Sequence, residues 1–377
     1  MSLIDLEPPG ARAGHIVCTC EVGEAEAVEA GPARRPALAL TALGYGLNIL
    51  SQTLTISVLP IAGVTLAPAR IWATLPYAAT LVGALAASFV AATLADLFGR
   101  RSAFATGASL GFAGAGLAAW SFVTGQFSAL CLGAFWLGTA QGFGLFYRHS
   151  AAIHATSPRR AIAIVLGSGG LAAILAPSLM RLAQVEAGPL APAAALLCAG
   201  LVQVGIITLS LALPGRSLAA PRPARPNGLD AGFVIATAVG TAAWFGMTLL
   251  MAASPSMMSH CGISPSGVSA VISWHLLAMY APAAIIGLVL PQLRGEWIAG
   301  IGLLLLTLGA SLIGMPTSLV DFGLVLILAG CGWSLAMLGS TVALHAKGQL
   351  ASALLACHDA ALFIGAIGGA LAAAFLL

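Results

Sequence analysis

IWATLPYAATLVGALAASFVAATLADLFGRRSAFATGASLGFAGAGLAAWSFV, residues 71–123, carries three charged side chains, Asp96, Arg100 and Arg101, and they sit together in its middle. On either side lies an apolar segment of bilayer-spanning length, roughly 20 residues or a little more. In hydrocarbon every backbone polar group must be satisfied within the protein, so continuous runs of this kind read as helices. The stretch is therefore two membrane-spanning helices joined by a short polar turn.

The pattern recurs along the whole chain. Of 377 residues, 59% are hydrophobic and only 7% charged, where a soluble domain charges roughly a quarter of its residues. No water-soluble surface can be built from that composition. Eleven spans are predicted, at about 37–62, 71–95, 103–123, 127–147, 160–183, 188–213, 231–253, 267–291, 297–315, 319–344 and 351–377. The predicted class is an all-α polytopic membrane protein. Its parts are a disordered tail (1–36), a six-helix half (37–213), a Pro- and Arg-rich linker (214–230) and a five-helix half (231–377). The tail holds Asp5, Glu7, Glu21, Glu24, Glu26 and Glu29 and has no apolar stretch of signal-peptide kind.

Basic residues orient this layout, because cytoplasmic loops carry the Lys and Arg. With the N-terminus inside, Arg34, Arg35, Arg100, Arg101, Arg148, Arg159, Arg160, Arg216, Arg222, Arg225, Arg294 and Lys347 fall on the cytoplasmic side, and only Arg70 and Arg181 fall outside.

The turn Leu94-Ala95-Asp96-Leu97-Phe98-Gly99-Arg100-Arg101 resembles the signature loop of the major facilitator superfamily. Ala92 stands where that family usually has Gly, and Leu97 where it usually has a basic residue. The equivalent segment of the second half, Gly287 to Gly295, is degenerate. The resemblance implies two helical halves with a binding site between them. Asp96, Gly99, Arg100 and Arg101 then form a conformational latch, an acid at a helix end and bases across a tight turn. Superfamily members usually have twelve spans; this sequence stops after the eleventh by order, which would put its C-terminus outside.

Donor atoms for a soft metal are concentrated in one region. Met247, Met251, Met257, Met258 and Met279 lie close together in sequence with His260, Cys261 and His275. Met247 and Met251 are stacked at i and i+4 on one helix face, and His275 and Met279 are stacked the same way on the next helix. Thioether sulfur is a soft, neutral ligand suited to Cu(I), and imidazole accepts copper too, whereas Mg and Ca ask for oxygen. Met257, Met258, His260 and Cys261 are expected in or beside the outer loop, as ligands on the way in. Against this, a methionine in a membrane helix is ordinary packing, and a buried histidine can merely hydrogen-bond a neighbour. Intramembrane ionisable residues are nevertheless costly and tend to be functional.

Met-xxx-Met followed by His-xxx-Met, within Trp274-His275-Leu276-Leu277-Ala278-Met279-Tyr280-Ala281-Pro282, resembles the CcoA-like bacterial transporters, as does Phe146-Tyr147-Arg148-His149-Ser150-Ala151-Ala152. The resemblance runs from about residue 40 to the end. It implies copper import across the bacterial cytoplasmic membrane to supply assembly of the cbb3-type haem–copper oxidase, with Met247, Met251, His275 and Met279 as ligands. Copper is then cargo, and no resident cofactor is expected. The implied partners are the copper ion, the lipid bilayer and a cytoplasmic or membrane copper acceptor. Carriers of the wider family also take other cargo, riboflavin among them.

Coupling is less sharply written. Asp359, within Cys357-His358-Asp359, is the one carboxylate with a good claim to be intramembrane. It starts only a few turns from the cytoplasmic end, where it can snorkel or cap; the functional alternative is a release or proton-coupled site of His358 and Asp359. A monovalent cation also gains about 2.3 kcal/mol per 100 mV from the membrane potential. In the tail, Cys18 and Cys20 beside His15 offer two thiolates, half of a closed metal site. Cys131, Cys198, Cys261, Cys331 and Cys357 are scattered and imply no disulfide framework. Two other functions stand beside copper import. One is an organic-solute carrier such as a flavin transporter, with Trp244, Trp274 and Tyr280 as stacking walls. The other is a metal sensor without flux. No nucleotide-binding glycine loop, serine nucleophile motif or carboxylate cluster points to an enzyme or to catalytic residues, and no basic patch beyond the inner loops points to nucleic acid.

Overall fold

The computed structural model describes residues 34–214 and 230–373, apart from 291, 347 and 349. His15, Cys18 and Cys20, nearly all of the linker, and Lys347 lie outside the described residues.

Twelve α-helices and two short 3-10 turns make up the described chain, with no strand among the described residues. In order they are α1 (Arg34–Leu66), α2 (Leu75–Thr124), α3 (Phe127–Leu145), α4 (Tyr147–His154), α5 (Pro158–Ser168), α6 (Gly170–Ala187), α7 (Ala191–Ala212), α8 (Ala231–His260), α9 (Pro265–Val289), α10 (Gly295–Leu312), α11 (Leu319–His345) and α12 (Ser352–Ala373). Helices α1–α7 pack among themselves, as do α8–α12. Contact between the two groups runs through α2 against α12, α5 and α6 against α9, and α4 and α5 against α11.

Length and composition count nine spanning stretches among the described residues, not eleven, because two of them, Arg70–Thr124 and Pro158–Ala212, are 55 residues long. A straight helix of that length would be about 80 Å, far beyond a bilayer. Gly99 breaks the first, with φ 82 and ψ 163, a conformation only glycine adopts easily. The packing on α3 shows the chain reversing there. Before Gly99, Thr80 and Ala84 meet Gly138 and Gly142 in the same chain sense; after it, Gly107 and Gly114 meet Phe143 and Gly133 in the opposite sense. The second stretch turns at 188–190, where Gly188 has φ 49, and α6 packs on α7.

Local sequence sets the helix ends around the region of interest. Asp230 caps α8 by accepting from Phe233 N at 2.8 Å, and Ser264 caps α9 with Pro265 in its first turn. Between them Gly262, at φ 74, makes the turn. The span of Met247 was expected to end at about 253; the helix instead continues through Pro255 to His260, and the stop is supplied by Gly262. Met257, Met258 and His260 lie in its last turn, beside the 261–264 loop.

Lipid gives helices no hydrophobic reason to associate, so close packing of small residues must do it. On α10 and α11, a Cβ at Gly302 would fall on the backbone of Ala336, one at Gly332 on that of Leu306, and one at Gly339 on that of Ala299. A Cβ at Gly300, one face round α10, would meet nothing within 4 Å. Gly332→Val is expected to lower stability by about 1–3 kcal/mol and to cut the yield of monodisperse protein, while Gly300→Val leaves both near native; thermal unfolding in one detergent with size-exclusion profiles checks this.

Candidate functional site

Two polar clusters lie inside the bundle. The first joins α8 to α9 near mid-helix. His275 is completely buried, with Nδ1 2.6 Å from the carbonyl oxygen of Leu326 on α11 and Nε2 3.2 Å from Met247 Sδ. A carbonyl only accepts, so Nδ1 carries the proton and Nε2 presents a lone pair. Met247 sulfur is also an acceptor. Two lone-pair donors thus face one another in direct contact. Gly330 makes the approach feasible: a Cβ there would lie 3.2 Å from His275 Nδ1 and 3.0 Å from its backbone oxygen.

Met251 and Met279 are half-buried against the same core. Met251 lies one turn nearer the 261–264 hairpin than Met247, and Met279 one turn farther from it than His275, about 5.4 Å in each case. The four expected ligands are staggered along the helix axes, with Met247 and His275 in contact. Farther along, Met257 is half-buried, Met258 fully buried, and His260 and Cys261 exposed.

Aromatic rings flank this pair, but not the set expected. Trp244 packs edge-on to Trp333 at 5.9 Å between ring centroids, and Tyr280 to Trp333 at 5.8 Å. Trp274 is 62% exposed on the outer surface of the bundle and lines nothing with them. Position 274 is next to His275, and adjacent residues on a helix face different ways.

The second cluster joins the two halves. Arg148 Nη2 donates to Asp359 Oδ1 at 2.5 Å, His149 Nε2 lies 3.1 Å from the same oxygen, and His149 Nδ1 lies 3.0 Å from His345 Nε2. Thr237 Oγ1 on α8 holds His358 Nδ1 at 3.0 Å. Arg148, His149, His358 and Asp359 are each no more than 1% exposed. Asp359 therefore neither snorkels nor caps, and Arg148 is not a residue of a cytoplasmic loop. Sequence reading gave His358 and Asp359 a role but none to Arg148, His149 or His345. An Arg-His pair on a spanning segment was the available signal, since such residues are costly in lipid.

Beside this cluster, at the end of the bundle that carries Arg100 and Arg101, Ser352 Oγ donates to Asp96 Oδ1 at 2.6 Å. The acid of the signature turn thus sits at the first turn of α12, where the positive end of that helix favours it. On α5 and α9, a Cβ at Gly167 would strike Ala284 and one at Gly287 would strike Ala163. All three sets of contacts tie the halves together at this one end.

A small polar cavity lies within the first half, about 10 Å³, lined by Asn48, Gln52, Gln141 and Gln203 among others. The side-chain oxygens of Gln141 and Gln203 have no hydrogen-bond partner there among the described residues.

The sequence profile of the "Sugar (and other) transporter" family matches residues 38–147. Riboflavin transporter RfnT of Brucella anthropi is 29% identical over 329 residues, covering 83% of this chain and 81% of its own. Among solved structures, the proton:xylose symporter XylE superposes with a TM-score of 0.76 at 12% identity over 91% of this chain and 88% of its own. The human organic anion transporter MFSD10 gives 0.70 at 16% identity, over 91% and 93%. The fold is that of the major facilitator superfamily.

The ion pair across the halves yields a prediction. Arg148→Met or Asp359→Leu alone leaves a buried charge without its partner and should cost about 3–5 kcal/mol. The double variant should recover most of that loss, as read by thermal unfolding of the three proteins in the same detergent.

Proposed function

We propose that this protein is a secondary transporter that brings copper, as Cu(I), across the bacterial cytoplasmic membrane through the Met247–His275 site, in support of cbb3-type oxidase assembly. One observation carries the reading: His275 Nε2 and Met247 Sδ, both acceptors, face one another at 3.2 Å in the buried core. Such a pair is relieved by a soft cation. With metal–nitrogen and metal–sulfur bonds of about 2.0 and 2.3 Å, a separation of this size places the two donors at roughly a right angle about one ion. Leu326 fixes the imidazole tautomer through Nδ1, the arrangement that metal-bound histidines use to hold their rings.

Neutral donors leave the ion its charge, so binding stays weak enough for release. Met251 on one side and Met279 on the other supply the next sulfur one turn away. The end tied by Asp96, Gly167 and Gly287 is the cytoplasmic one by its basic residues, so the site faces outward in this conformation. Inward movement of a monovalent cation follows the membrane potential, worth about 2.3 kcal/mol per 100 mV.

A flavin cargo is the second reading, favoured by the likeness to the Brucella anthropi riboflavin transporter and by the amide-lined cavity of the first half. That cavity, about 10 Å³, has room for about one water. A flavin would need the halves to separate further, whereas a bare ion needs only the donors already in contact.

Uptake of radioactive copper under reducing conditions, in cells lacking their own importer, decides between them. Native protein should accumulate copper, Met247→Ala and His275→Ala should lose at least tenfold at matched membrane expression, and silver but not riboflavin should compete. Copper flux absent from a well-expressed native chain, with riboflavin uptake present, would establish the second reading instead.

A further inference from the structure

We propose that His149, His358 and Asp359 form a second cation site at the inner gate, at which the arriving ion displaces Arg148 from Asp359 and takes its place as the tie between the two halves. The site takes a first-row or coinage metal ion through imidazole and one carboxylate oxygen. It deepens the copper reading, on which it rests only for the identity of the cargo.

Four observations support it. One ligand atom from each of His149, His358 and Asp359 lies within 4.8 Å of the other two, and all three residues are buried. Ligands at about 2.0–2.2 Å from a tetrahedral ion are about 3.4 Å apart, so a modest inward movement completes the set. His358 is fully buried, its ring held by Thr237 through Nδ1, and its Nε2 has no partner. A buried imidazole nitrogen without a partner is costly, and a metal is the partner that this chemistry suits. Lastly, α8 touches both sites, through Met247 and through Thr237. Thr237, which positions His358, precedes Met247 by ten residues, about 15 Å along one helix and toward the end where the halves are closed.

Arg148 gives the site its consequence. Its guanidinium occupies Asp359 through Nη2 alone; Nε and Nη1 have no partner among the described residues. Arg148 and His149 belong to the first half, and His345, His358 and Asp359 to the second. Arg148 and His149 both face the same oxygen, Asp359 Oδ1, so an ion held between His149 and that oxygen takes the place that Arg148 occupies. The ion, held by His149 of the first half and by His358 and Asp359 of the second, then replaces the ion pair as the contact between them.

Coordination needs no net change in protons. With the gate closed, His149 Nε2–H donates to Asp359 and His149 Nδ1 accepts from His345 Nε2–H, an assignment fixed by the carboxylate's being an acceptor. For His149 Nε2 to bind metal, its proton appears on Nδ1 and that of His345 on its own Nδ1. His345 is the residue that lets His149 change tautomer.

The test is Cu(I) binding to the purified full chain in nanodiscs, titrated against a chromophoric Cu(I) chelator, with Cys18→Ser and Cys20→Ser throughout so that tail thiols do not report. Met247→Ala/His275→Ala and His358→Ala are compared alone and combined. Each lesion should remove one equivalent, and the ion left in Met247→Ala/His275→Ala should show a nitrogen and oxygen shell without sulfur by X-ray absorption. Arg148→Gln should bind the inner ion at least tenfold more tightly and regain with Cu(I) the thermal stability it loses without it, a direction that mere structural damage would not produce. His358→Ala with unchanged stoichiometry, or Arg148→Gln with weaker inner binding, overturns the proposal while leaving the midplane site standing. Inner binding that persists with no effect of the midplane lesion overturns the midplane site instead, and no binding by the native chain overturns both.

Discussion

Water cannot follow a polar group into hydrocarbon, and that absence disciplines everything inside this bundle. A buried donor or acceptor without a partner on its own or another helix costs several kcal/mol. His275 answers by giving its Nδ1 proton to Leu326 across to α11, and Arg148 by reaching from one half to Asp359 of the other. These bonds are feasible because the helices come close enough, and they come close because glycine faces glycine or alanine at the crossings. Gly330 shows the dependence plainly, since it packs directly on His275 and the ring could not reach the α11 backbone past a larger residue there.

The two polar clusters differ in a way that fits their depth. Near mid-bundle the donors are neutral, a thioether and an imidazole, and a charged ligand would there need a counter-charge of its own. Nearer the basic end the cluster contains a full carboxylate, and a guanidinium neutralises it. An ion moving from the first to the second goes from weaker neutral donors to a site with a negative charge already occupied. In the proposed pathway the ion must displace Arg148 before it can occupy that site.

Much of this was readable in the sequence. Apolar runs of spanning length gave the all-α membrane class, and Gly99 between Asp96 and Arg100 marked the reversal that the backbone makes there. The Met247 and His275 spacings pointed to one region, and the two residues are in contact. What local reading missed depends on distance along the chain. Arg148 and Asp359 are 211 residues apart, and nothing in the flanking residues of either announces the other. Arg148 was assigned to an inner loop because basic residues usually mark loops, a rule that fails where a carboxylate on another helix compensates the charge. Trp274 was misplaced for a simpler reason, that its neighbour His275 points inward and one step along a helix turns by about 100°.

The separation of roles between halves has a further physical meaning. The midplane donors lie on α8 and α9, both of the second half, so Met247 and His275 can stay in contact while the halves rock. The inner cluster takes Arg148 and His149 from the first half and Asp359 and His358 from the second, so it exists only while that end is closed. Thr237 and Met247 share α8, so a shift of that helix moves His358 and the midplane sulfur together.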